Sequence, residues 1–265
     1  TKLFALGGVA VGAIAVVLAF GMKEVWHSSK ALVMIAGLFL LASVNAIVNS
    51  SAPLTQNIYG AYGRNTAFLT YLLLIFVILS AVALRTNKSF MTLIYGLFVA
   101  GAVNVIYCGW VVIFGDFVPW NNPYGNILGT LGNPNFISSF LGIFVVVSLA
   151  VIMEPKTSIN LRVFLVIFSA VAILEIFNSK SLQGLIVVGI GGAFVFLMLL
   201  FWSSTLGRLW LPYLFLVTLI GIIAIMGMLQ KGPLASILYK QSVSIRGAYW
   251  RSGWSMMQEN PIFGI

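Results

Sequence analysis

Leu182-Gln-Gly-Leu-Ile-Val-Val-Gly-Ile-Gly-Gly-Ala-Phe-Val-Phe-Leu-Met-Leu-Leu-Phe-Trp202 contains neither a charged side chain nor a proline. As a helix rising 1.5 Å per residue it measures about 30 Å, the thickness of a bilayer's hydrocarbon core. Seven further apolar stretches read the same way: Leu3 to Met22, Ala31 to Ser50, Ala67 to Leu84, Phe90 to Phe114, Phe136 to Met153, Val163 to Phe177 and Leu209 to Leu229. None alternates with period two, which argues against a barrel. With 61% hydrophobic and 7% charged residues the chain lies far outside soluble domains. The expected fold is an all-α polytopic membrane bundle of about eight spans.

The basic residues orient it. Lys23, Lys30, Arg85, Lys88, Lys156, Arg162 and Arg208 fall in alternate loops, whereas the opposite short segments carry Lys2, Arg64 and Lys180. By the positive-inside rule the first set is cytoplasmic. Thr1, the loops Ser51 to Thr66 and Gly115 to Asn133, the turn Ser179 to Gln183 and everything after Gln230 are then exterior. An exterior start without a signal peptide, and an end at Phe263-Gly264-Ile265 without a polar tail, lead us to expect chain missing on both sides. No repeat or linker divides the bundle, so residues 1–229 read as one membrane domain and 230–265 as the start of an exterior loop.

Composition also limits the chemistry. The formal charge of +9 is scattered through loops and forms no stripe suited to nucleic acid. Cys108 is the only cysteine and lies in a span; His27, the only histidine, is cytoplasmic. No metal site, cofactor, nucleotide loop or Ser-His-Asp set is expected. Asn45, Asn49 and Asn104 read as interhelical hydrogen-bonding residues. Glu175 is an intramembrane carboxyl, a functional candidate by position, with Lys180 within reach as a partner. Asp116 at the water boundary has a similar claim.

Two polar passages stand out on the exterior side. Within Ser242 to Ile265, Arg246, Trp250 and Trp254 share one helical face, Ser242 or Ser244 can cap the start, and Asn260-Pro261 ends the run. An arginine at a helix start suits a phosphate or diphosphate. The same pattern suits an amphipathic helix lying among lipid headgroups, anchored by Tyr249, Trp250 and Trp254, with Arg246 and Arg251 on lipid phosphates. In Gly129-Thr-Leu-Gly-Asn-Pro-Asn135, Asn133 is an N-cap and Pro134 opens the helix. This end would offer backbone N–H groups and the Asn135 amide to an anion or sugar, or it is simply a well-capped helix.

The order of these pieces resembles the O-antigen ligase and polymerase superfamily. It consists of the Gly-Thr-x-Gly-Asn-Pro-Asn entry to a span, a Ser-rich exterior turn ending in Gln183-Gly184, and Arg246-x-x-x-Trp250 leading to Glu259-Asn260-Pro261-Ile262-Phe263-Gly264. The motifs cover Asn121 to Ile265; upstream the likeness is one of hydrophobicity alone. The resemblance implies a lipid-dependent glycosyltransferase-like bundle in the bacterial inner membrane. It also implies metal-independent, inverting transfer of an undecaprenyl diphosphate-linked oligosaccharide to a lipid, glycan or protein acceptor. Arg246 would then stabilise the leaving diphosphate, with Trp250, Asn133, Asn135, Lys180 and Gln183 as further substrate-binding residues. Many relatives carry arginine where this chain has Gln183, and Lys180 is the residue able to replace it. The family's histidine, the candidate base, falls beyond Ile265, so no catalytic residue is assigned. The partners implied are the lipid-linked glycan and membrane lipid. Competing readings are a transporter or channel, and a noncatalytic subunit docking a membrane-protein partner through its exterior helix. The first lacks paired buried charges and repeats.

Overall fold

The computed structural model describes residues 2–61, 66–119, 122, 125–239, 241–259 and 261. Arg64, Asn121, Asn260 and Ile262 to Ile265, which figure in the sequence reading, lie outside them. In chain order the helices are α1 (Lys2–Phe20), α2 (Met22–Asn49), α3 (Leu54–Tyr59), α4 (Phe68–Leu79), α5 (Asn87–Phe114) and α6 (Pro134–Met153). There follow α7 (Ile159–Asn178), α8 (Leu182–Trp202), α9 (Trp210–Met228), α10 (Ala235–Leu238) and α11 (Gln241–Glu259). Among the described residues seven helical segments are long and apolar enough to cross a membrane. The chain is an all-α, polytopic integral membrane protein.

The eighth expected span is shorter. Twelve residues of α4 and four of a 3-10 turn, Ser80–Ala83, cover about 26 Å, slightly less than the hydrocarbon core. Ser80 Oγ donates to Val77 O at 2.7 Å where the helix tightens.

The residues form two compact units, 1–91 with 240–265, and 92–239, the boundary falling within α5. In the first, α1 packs on α4 and its 3-10 extension around Val17, Val25, Leu79 and Val82. The cytoplasmic connection expected at Lys23 to Lys30 proves to be helical. Gly21, at φ +80°, ends α1 in a conformation open to glycine, and α2 starts at once, broken only at Ser29. Val25 explains this: it is fully buried, so the segment around it must coil to deliver it to the core. Glu24 and Ser28, one turn apart, both bond the Arg85 guanidinium.

In the second unit α6 is the central helix. Ile137, Leu141 and Phe144 are fully buried against Phe98, Val105 and Cys108 of α5 and Leu165, Ala172 and Ile176 of α7. Phe144 lies over Gly101, whose missing side chain makes room for the ring. α6 and α8 run parallel and close: Gly184 meets Ser138, Gly142 meets Gly184 and Val187, and Gly191 meets Val146. A Cβ on Gly142 would stand 2.9 Å from Gly184 O, so the backbones approach as in membrane helix pairs built on small residues.

Candidate functional site

The site is built where α6 and α8 begin. Before α6, Gly129 adopts φ +57° against Ile137 and Gly132 adopts φ +67°, which accounts for both glycines of the Gly-Thr-x-Gly passage. Ile127, Leu128 and Gly129 are buried. Thr130 donates from its N–H (3.1 Å) and its hydroxyl (2.9 Å) to Asn104 Oδ1, while Asn104 Nδ2 donates to Ala100 O. Asn104 lies ten residues before the end of α5, about 15 Å along its axis, so the loop turns back beside that helix. Irregular backbone at such depth requires protein around it, and here the amide supplies the partner. Asn104 thus bonds a loop and not another span.

Asn133 is the N-cap of α6 as expected: its side-chain oxygen accepts from Asn135 N at 2.9 Å, and Pro134 follows. Ser181 caps α8 in the same way, accepting from Gln183 N at 3.3 Å. The two caps are tied together. Ser181 Oγ donates to Asn135 Oδ1 at 2.9 Å. Ser138 Oγ donates to Ser181 O (3.3 Å) and accepts from Gly184 N (3.0 Å). Ser139 Oγ shares its proton between Asn135 O (2.8 Å) and Gln183 Oε1 (3.2 Å). Ser138, Ser179 and Ser181 are buried; Asn135, Ser139 and Gln183 are half-buried, so the cluster opens on the amide side.

Two expectations are decided here. The first N–H groups of α6 are read from the sequence as open to a ligand or as simply well capped, and the second holds. Asn135 N and Gly184 N are used by Asn133 and Ser138, and Phe136 N and Ile137 N by Asn133 O. What remains is the field of two parallel helix N-termini side by side, each equivalent to about half a positive charge, framed by amides and hydroxyls. Lys180 is exposed at the rim in the left-handed conformation, φ +55°, and forms no ion pair with Glu175. Its first role is to turn the chain from α7 into α8.

Arg246 and Trp250 belong to the other unit, on α11. That helix starts at Gln241, so Ser242 and Ser244 are helical residues and not caps, and Arg246 is sixth, beyond the four unpaired N–H groups. Arg246 is therefore not a first-turn residue. At about 100° per residue, Arg246 sits midway across a face formed by Ile245, Tyr249, Trp250, Trp254, Met256 and Met257, whereas Arg251 falls with Ser244 and Ser255 on the opposite half. Trp250 and Trp254 are 80% and 61% exposed, a contact surface and not a core.

Asn45 and Asn49 bond each other within α2, not a neighbouring helix, through Asn49 Nδ2 to Asn45 O and Oδ1. Asp116 accepts from Tyr107 OH at 2.8 Å and from Val118 N at 2.9 Å, which closes a turn after α5. Among the described residues no three His, Cys, Asp or Glu side chains converge on a metal position. Ser138, Ser139 and Ser181 are site residues the sequence reading passed over. Ser138-x-x-x-Gly142 is a small-x-x-x-small pair, and that spacing was the available signal.

No protein-family model, curated protein or solved structure matches this chain.

Proposed function

We propose that this protein transfers an undecaprenyl diphosphate-linked oligosaccharide to a lipid, glycan or protein acceptor at the exterior face of a bacterial inner membrane. The observation that carries this reading is the joining of the Asn133–Asn135 entry and the Ser179–Gly184 turn into one hydrogen-bonded cluster at the N-termini of two parallel helices. The two passages are more than 40 residues apart in sequence, and they are two of the three that carry the family resemblance. Two adjacent helix N-termini favour an anionic or polyhydroxylated ligand, and the half-buried amides of Asn135 and Gln183 suit sugar hydroxyls.

In this scheme Asn133 shapes the α6 entry, Asn135 and Gln183 hold the glycan, and Lys180 adds charge at the rim. On α11, Arg246 suits a diphosphate as a fork and Trp250 suits an apolar chain. The acceptor hydroxyl oxygen attacks the anomeric carbon and gives up its proton to solvent. The bond from that carbon to the diphosphate breaks with its electron pair on the departing oxygen, a charge that a forked cation suits.

The test is retention of undecaprenyl diphosphate-linked oligosaccharide by the purified protein in lipid nanodiscs. Asn135→Ala and Gln183→Ala should each weaken it about tenfold, the equivalent of one hydrogen bond to the ligand, ~1.4 kcal/mol. Undiminished retention by both variants at normal abundance would remove the cluster from the reading.

A further inference from the structure

Glu175 is the buried group that the cluster does not use. It is 3% exposed, near the end of α7, and neither carboxyl oxygen has a hydrogen-bond partner. The other four acidic residues, Glu24, Asp116, Glu154 and Glu259, are all exposed. Its Oε1 faces Gly109 of α5, where an added Cβ would stand 3.3 Å away; glycine at that position is what admits the carboxyl between the helices. Gly109 lies inside α5, so its own N–H is engaged in the helix.

Among the described residues no cation balances this carboxyl. On α5 its titratable neighbour is Cys108, fully buried, with Asp116 beyond the end of that helix and bonded to Tyr107. α6 holds no titratable side chain, and Lys180, past the end of α7, makes no ion pair. An ionised carboxylate left unpaired in so apolar a place costs several kcal/mol or more. Among the described residues no group of His, Cys, Asp or Glu side chains surrounds it to hold a metal cation, and the species that fits is the proton.

We propose that Glu175 is a proton-binding site within the α5–α7 contact, occupied when the two helices pack as described. Release breaks the carboxyl O–H bond and passes the proton to water, leaving a carboxylate that the buried, apolar contact does not tolerate. Deprotonation therefore requires water to enter or α7 to shift. Ser179 N donates to Glu175 O at 2.8 Å, and Ser179 Oγ accepts from Ser181 N. Movement of α7 is thereby passed to the turn that caps α8. The inference concerns proton occupancy alone and does not depend on the transfer reaction.

Infrared spectroscopy of the protein in lipid nanodiscs tests it. The wild type at neutral pH should show the C=O stretch of a protonated carboxyl, which alkaline titration removes and which Glu175→Gln lacks at all pH values. Glu175→Gln keeps shape and neutrality and should accumulate as the wild type does. As a check that needs no variant, a lipid-soluble carbodiimide, which adds across protonated carboxyls, should modify Glu175 in native membranes while sparing the four exposed acids. Identical spectra for wild type and Glu175→Gln, a band that persists at alkaline pH, or a Glu175 that carbodiimide leaves untouched would each overturn the proposal.

Discussion

Replacing Gly184 with alanine adds one methyl group at the closest approach of α6 and α8. That Cβ would lie 2.8 Å from the carbonyl carbon of Ser138 and closer still to its oxygen, and both are backbone atoms that no rotamer change can move. The helices must separate. Overpacking of this kind costs about 1–3 kcal/mol. Separation also weakens the Gly184 N to Ser138 Oγ and Ser139 Oγ to Gln183 Oε1 bonds, each worth roughly 0.6 kcal/mol or somewhat more in a membrane. The total is about 2–4 kcal/mol, against which alanine's better helix propensity returns about 1 kcal/mol. Gly189→Ala is the matched control, since a Cβ there meets nothing within 4 Å and should be neutral or slightly stabilising. Cysteines placed at Ser139 and Gln183 in a Cys108→Ser background report the approach directly through oxidative cross-linking. Cross-linking should be efficient with Gly184 present, unaffected by Gly189→Ala and strongly reduced by Gly184→Ala, with a parallel loss of thermal stability in detergent. If Gly184→Ala cross-links and melts like its parent, the helices are not in backbone contact and the clustered site loses its foundation.

Three other expectations follow from named residues. Asn104→Ala removes the acceptor of both Thr130 bonds and should lower stability by about 1–3 kcal/mol, with new protease sensitivity between Ile127 and Leu131, whereas Asn104→Asp, which keeps an acceptor, should be milder. Arg246→Lys should abolish most glycan transfer in cells at unchanged membrane abundance, while Arg251→Lys, on the opposite half of α11, should be close to neutral; equal mild effects would return Arg246 to a lipid-anchoring role. In a Cys108→Ser background an impermeant thiol reagent should reach a cysteine at Ser242 in intact cells and not one at Thr86, and the reverse pattern would invert the orientation read from the basic residues.

The long helices were legible because each buries or exposes its whole apolar length to lipid, so hydrophobicity alone sets their limits; α8 begins and ends where its sequence does. The short connections were less so. Lys23 to Lys30 reads as a charged loop, and only the burial of Val25 beside Val17 and Leu79 makes it helical. Of the site, Asn133 was readable because capping is local, an Asn followed by proline before an apolar run. Its link through Asn135 to Ser181 was not, because that depends on α6 and α8 lying parallel, which no spacing in the chain encodes. Arg246 is not a first-turn residue for a related reason: α11 begins one residue before Ser242 and three before Ser244, and exposed polar sequence gives weak notice of where a helix starts.

The hydrogen bonds between Thr130 and Asn104 also set an order for biogenesis. The backbone around Thr130 cannot enter lipid until an acceptor waits for it there, and Asn104 is in place only after α5 has been threaded and settled. The segment between α5 and α6 must therefore be released beyond the bilayer first, and folds back along α5 as a second event.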